Sequence, residues 1–114
     1  MLLVDGANVV GSVPDGWWRD RPGAAARLHA RLLAADLGLV VLVLEGAAVT
    51  GIPESDGPTR VVHAAGSGDD ALVALAAPGA VVVTADRELA VRCRARGAEV
   101  RGPGWLLERL PLPG

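Results

Sequence analysis

The sequence predicts a three-layer α/β sandwich built around a mainly parallel sheet of about five strands. Three observations predict it. Short apolar runs alternate along the chain with segments of helical periodicity. Those runs are continuously apolar, as expected of strands covered on both faces in a parallel sheet. Each is followed within a few residues by Asp, Gly or Pro, which end one element and open the next. The 114 residues, 51% of them hydrophobic, suffice for one packed domain over 1–114 and are too few for two.

Each element has its own signal. Leu2-Leu3-Val4 forms the first strand, which ends at Asp5. Pro22-Gly23 introduces a helix over 24–35, where Ala25, Leu28, Leu32 and Ala35 make an i, i+3, i+4 stripe. Residues 39–44 are the second strand, closed by Glu45-Gly46, and Arg60 to His63 a short third. Ser67-Gly68-Asp69-Asp70 opens a helix to about Ala77, its acids suiting the positive helix N-terminus; Pro78-Gly79 stops it. Ala80 to Thr84 is the fourth strand. The helix over 86–96 turns Leu89, Ala90 and Cys93 inward and stops at Gly97. Ala98 to Arg101 is an edge strand, and Pro103 to Leu110 a short last helix that begins with Pro. Residues 46–58 and 11–21 read as mobile loops.

Composition narrows the function classes. The net charge is -2 and every one of the 11 basic residues is Arg, so charge alone does not advertise nucleic-acid binding. An acidic metal cluster in an enzyme acting on nucleic acid would itself lower the pI. Cys93 is the single cysteine, which excludes an intramolecular disulfide and a cysteine zinc site. The run Leu37 to Leu44 falls far short of the roughly 20 residues of a membrane helix. No basic segment precedes Leu2, so the expectation is a cytoplasmic protein with no signal peptide and no membrane association.

Four carboxylates share one structural address. Asp5 ends the first strand, Glu45 the second; Asp69 follows the third and Asp86 the fourth. Ligands of open parallel sheets bind beyond the carboxyl ends of the strands. Acids converging there repel one another unless a cation sits among them. All-oxygen donors suit a hard ion, Mg²⁺ or Mn²⁺, which activates water and neutralises phosphate charge. Taken singly, each acid is more often a helix cap or turn former.

Four segments carry a resemblance: Val4-Asp5-Gly6-Ala7-Asn8-Val9-Val10, Leu44-Glu45-Gly46, Gly68-Asp69-Asp70-Ala71-Leu72 and Val83-Thr84-Ala85-Asp86-Arg87-Glu88-Leu89. In this order, over nearly the whole chain, they resemble the NYN domain, YacP-like branch, of the PIN-like ribonuclease superfamily. The resemblance implies a PIN-like αβα sandwich with an acidic Mg²⁺ or Mn²⁺ pocket that cuts RNA phosphodiesters. It implies Asp5, Asp69 and Asp86 as the catalytic, metal-centred acids, Asn8 to orient water or phosphate, and Thr84 to buttress the pocket. Two departures stand out. Glu45-Gly46 replaces the more usual Asp-Gly, so Glu45 would reach the ion through water. The helix start carries two acids; the spacing to Leu72 favours Asp69, with Asp70 left as a supporting or second-metal ligand.

Other residues have two readings. Trp17-Trp18 with Arg19-Asp20-Arg21 either anchors its loop on the first helix or offers an indole for base stacking beside Arg. Arg87 either touches a phosphate or pairs with Glu88 or another acid. Arg92, Arg94 and Arg96 read as a solvated helix face; Trp105 and Cys93 as core; His29 and His63 as structural. Gly66-Ser67-Gly68 lacks the Lys-Ser/Thr of a phosphate loop. The sequence thus points to a metal-dependent ribonuclease acting on single-stranded RNA, with metal hydroxide as nucleophile. The Ala/Leu-rich helix leaves a weak homodimer open, and any protein partner unknown. The alternatives are a non-catalytic RNA-binding module, a toxin of a toxin–antitoxin pair, and a nucleotide phosphohydrolase.

Overall fold

Over residues 1–112, which a computed structural model describes, the chain forms five strands and five α-helices. The last two positions of the predicted 1–114 domain lie outside the described residues. The strands are β1 (Leu2–Asp5), β2 (Val40–Leu44), β3 (Thr59–His63), β4 (Val81–Val83) and β5 (Glu99–Arg101). The helices are α1 (Gly6–Gly11), α2 (Arg21–Ala35), α3 (Gly68–Leu75), α4 (Arg87–Ala95) and α5 (Pro103–Leu107). The sheet runs in the order β3-β2-β1-β4-β5, and every pairing is parallel. Central β1 matches Val4 to Leu42 on one side and to Val83 on the other. Beyond it the strand order reverses, so the crevice typical of such a reversal opens at the carboxyl end of β1.

The period-2 alternation of strand side chains supplies both cores. On one face Val4, Leu42 and Leu44 pack against Val9, Leu28, Leu32 and Leu106 of α1, α2 and α5. On the other, Leu3, Val41, Val43 and Val82 meet Leu72, Leu89 and Cys93 of α3 and α4. Helices therefore cover both faces. The architecture is the expected three-layer αβα sandwich.

Four segments differ from the sequence reading. Helix α1 was not expected, because Gly and paired Val residues are poor helix formers; full burial of Val9 overrides that preference. Gly6 permits the crossing, since a Cβ there would lie 2.7 Å from the Val43 carbonyl oxygen. The stretch 46–58 is no plain loop: Gly46–Gly51 is a 3₁₀ helix packed on α2, and Ser55 bridges Val61. The other loop, 11–21, holds a 3₁₀ turn at Trp17–Arg19. α2 begins at Arg21, ahead of the expected Ala24, because the Asp20 carboxylate caps Gly23 N at 2.9 Å and Pro22 fits the first turn.

The stripe Ala25, Leu28 and Leu32 of α2 is spent on the chain's own core. Among the described residues, no helix is long and apolar enough to cross a membrane.

Candidate active site

Parallel strands deliver their carboxyl ends to one edge, and four of the five bring an acid there. Asp5 is the last residue of β1 and the N-cap of α1. Glu45 follows β2 directly, Asp69 lies in the first turn of α3, and Asp86 caps α4. The caps have a local cause: a carboxylate at such a position accepts an orphan backbone N–H. Asp86 Oδ1 does so from Leu89 N at 3.0 Å.

Asp5 is the most deeply held of the four, only 3% exposed. Its Oδ2 accepts from Thr84 Oγ1 at 2.8 Å and from Asn8 Nδ2 at 2.9 Å, and its Oδ1 from Asn8 N at 3.3 Å. Thr84 Oγ1 in turn accepts from Asp86 N at 3.1 Å, and Asn8 Oδ1 from Ala85 N at 3.2 Å. One network thus ties the end of β1 to the segment following β4. Burial raises the Asp5 carboxyl above its usual value; the bonds from Thr84 and Asn8 oppose this, while the charge of Glu45 adds to it. Asp69 is also raised, first by burial, then by the negative charges of Asp86, Asp5 and Glu45, with Arg92 opposing. The four acids share one electrostatic field.

Around them the other candidates divide. Glu45 Oε2 accepts from Gly68 N at 3.2 Å, joining the end of β2 to the start of α3. Asp70 is exposed and turned to Arg92, 2.9 Å away. The all-oxygen donor set suits a hard divalent cation. Its spacing is wider than a formed centre: among the described residues, no three such side chains stand close enough to hold one ion. Thr84, expected to buttress the pocket, is 3% exposed; its hydroxyl donates to the Asp5 carboxylate and accepts from Asp86 N. Asn8 has both ends of its amide engaged, on Asp5 and on the Ala85 backbone.

Two solved structures of Rae1 (YacP) from Bacillus subtilis, one a tryptophan-to-leucine variant, share this architecture. The first superposes with a TM-score of 0.67 over 95% of this chain and 71% of its own. The variant gives 0.66 over 94% and 72%, and identity is 19% to each. The chain has the YacP fold. By sequence, neither a described protein family nor a curated protein matches it.

On this YacP fold two depressions flank the acids. The first, about 390 Å³, is lined by Thr84 and Asp86 together with Arg87, Arg94 and Arg101. Sequence reading singled out Arg87 alone and left Arg94 on a solvated face. The i, i+7 spacing of Arg87 and Arg94 on one helix face was the available signal; Arg101 joins them only through the β4–β5 pairing. Arg92 and Arg96 are exposed, as expected of a solvated face, and each also makes a contact. Arg92 holds Asp70, and Arg96 Nε donates to the Ala76 carbonyl at 3.0 Å.

The second depression, about 280 Å³, is lined by Trp17, Arg21, Glu45 and Ala48, with Gly6 and Ala7 at the start of α1. Trp18 is 56% exposed and meets Trp17 edge-on with ring centroids 5.9 Å apart. Arg19 sits 5.8 Å from the Trp18 ring centre, and Arg21 5.4 Å from that of Trp17. Trp105 is half-buried against the first core, with the Arg109 guanidinium 4.1 Å above its ring. His63 Nε2 pairs with the Ile52 carbonyl at 2.6 Å, a structural role.

Proposed function

We propose that the chain is a metal-dependent ribonuclease that hydrolyses phosphodiester bonds of single-stranded RNA. The observation that carries this reading is the shared field of Asp5, Glu45, Asp69 and Asp86 at the carboxyl edge of the sheet. The YacP fold and the NYN resemblance of the same four segments support it. Asp5, Asp69 and Asp86 would hold Mg²⁺ or Mn²⁺, with Glu45 acting through water. When bound, the ion supplies Lewis acidity and lowers the pKa of water.

The chain's own residues do the rest. Thr84 and Asn8 hold the Asp5 carboxylate in one orientation, so its lone pairs are aimed before substrate arrives. Arg87, at the first turn of α4, is exposed beside Asp86 and can take a phosphate oxygen. Neither histidine lines the depressions beside the acids, which leaves no imidazole as an independent base.

A second reading, an RNA-binding module without catalysis, draws on the wide spacing of the acids. Labelled RNA, DNA and nucleoside triphosphates incubated in parallel with Mn²⁺ separate the possibilities. Cleavage of RNA alone supports the nuclease. Triphosphate hydrolysis alone turns the reading to a phosphohydrolase, and RNA binding without any cleavage to the module.

A further inference from the structure

We propose that the depression walled by Trp17 is a nucleobase subsite that accepts bases bearing an exocyclic amine, cytosine or adenine, and disfavours uracil. The inference deepens the RNA reading and rests on it. The depression, about 280 Å³, has room for one base, and its walls combine an indole, a guanidinium and small apolar side chains. Bases pulled from single strands stack on such indole and guanidinium planes. Trp17 is half-buried, with the Trp18 indole held edge-on at 88° and Arg21 beside its ring. Its wall is therefore braced from two sides.

Selectivity comes from Glu45. Its Oε2 is committed to Gly68 N, while Oε1 accepts from no group among the described residues, and the residue lines the depression. A carboxylate only accepts hydrogen bonds. It takes the N4 amine of cytosine or the N6 amine of adenine, and it opposes O4 of uracil with a second acceptor. Cytosine and uracil share one ring and differ only along this edge, in the 4-substituent and in the proton that uracil carries on N3, which makes them the comparison. Gly6 and Ala7, which follow Asp5, line the same depression, so a base seated here lies beside Glu45 and next to the chain segment of Asp5.

Fluorescein-labelled hexacytidylate and hexauridylate, titrated with the protein in EDTA, test this by anisotropy without any cleavage. Wild type is expected to prefer hexacytidylate by roughly tenfold, the scale of one hydrogen bond to a charged group. Trp17→Ala should weaken binding by roughly 5- to 150-fold, the range for one lost stacked base, and by more than Trp18→Ala does. Trp17→Phe should restore most of it, with circular dichroism reporting that each variant is folded. Glu45→Gln, whose amide can donate to O4, should erase the preference for cytosine. Unchanged preference in Glu45→Gln, or Trp17→Ala binding like wild type, overturns the subsite. RNA cleavage in Mn²⁺ alongside such results leaves the nuclease standing without it. Trp17-dependent cytosine preference with no cleavage in Mn²⁺ leaves the subsite standing and overturns the nuclease.

Discussion

Thr84 donates its hydroxyl hydrogen to Asp5 Oδ2 at 2.8 Å, a bond between residues 79 apart in sequence. The same oxygen of Thr84 accepts from Asp86 N, so one hydroxyl links two of the four acids. Both partners of this bond are 3% exposed. A buried polar network of this kind is stabilising when complete and costly when broken.

Thr84→Val keeps the volume and removes the hydroxyl, leaving Asp5 Oδ2 short of a donor and Asp86 N short of an acceptor. We expect a stability loss of about 1–3 kcal/mol, the cost of an unsatisfied buried group. The midpoint of urea unfolding reports it. Thr84→Ser should recover most of the loss; if Ser and Val behave alike, the hydroxyl is not what holds Asp5.

The two acids at the start of α3 should separate sharply. Asp69 lies in the field of Asp5, Asp86 and Glu45, whereas Asp70 is turned to Arg92. Asp5→Asn, Asp69→Asn and Asp86→Asn should each abolish cleavage by more than the roughly 10–100-fold seen for groups supporting a metal ligand. Glu45→Gln should fall within that range, and Asp70→Asn should stay near wild type. Initial rates on one labelled RNA decide this, and inactivation by Asp70→Asn alone would reverse the assignment.

Without metal, stability should fall as pH rises. The Asp5 and Asp69 carboxyls sit above their ordinary value of 3.8, so between that value and the folded one the native state binds more protons than the unfolded chain. Their contribution is fully present below about pH 3.8 and is lost as pH climbs through the folded values. Thermal melts in EDTA from pH 4 upward should show this loss, and Asp69→Asn should flatten it. Mn²⁺ at about 100 times its dissociation constant should return about 2.7 kcal/mol at neutral pH. An identical melt with and without Mn²⁺ would count against a metal site.

Salt should weaken RNA binding only modestly. Up to three phosphates can be met by Arg87, Arg94 and Arg101 in a protein of net charge -2. At roughly -0.7 per phosphate on a single strand, the slope of log K against log salt is about -2. Each Arg→Ala change should reduce it by roughly 0.7, with single strands bound in preference to duplex. A much steeper slope, or equal affinity for the duplex, would place the contacts elsewhere.

Sequence alone determined the sheet and the address of the acids. Runs such as Val40–Leu44 are long and apolar enough to be read as covered strands, and parallel strands bring Asp5, Glu45, Asp69 and Asp86 to one edge whatever the detailed packing. Helix α1 was decided by tertiary structure, because burial of Val9 outweighs the poor helix propensity of its neighbours. So were the different surroundings of Asp69 and Asp70: the spacing to Leu72 favours Asp69, and only the packed helices show Asp70 paired with Arg92, 22 residues away on another helix. The Arg94–Arg101 groove and the Thr84–Asp5 bond likewise depend on contacts between elements distant in sequence. Periodicity records which face a residue takes within its own element; which residue meets it across the sheet is set only when the layers pack.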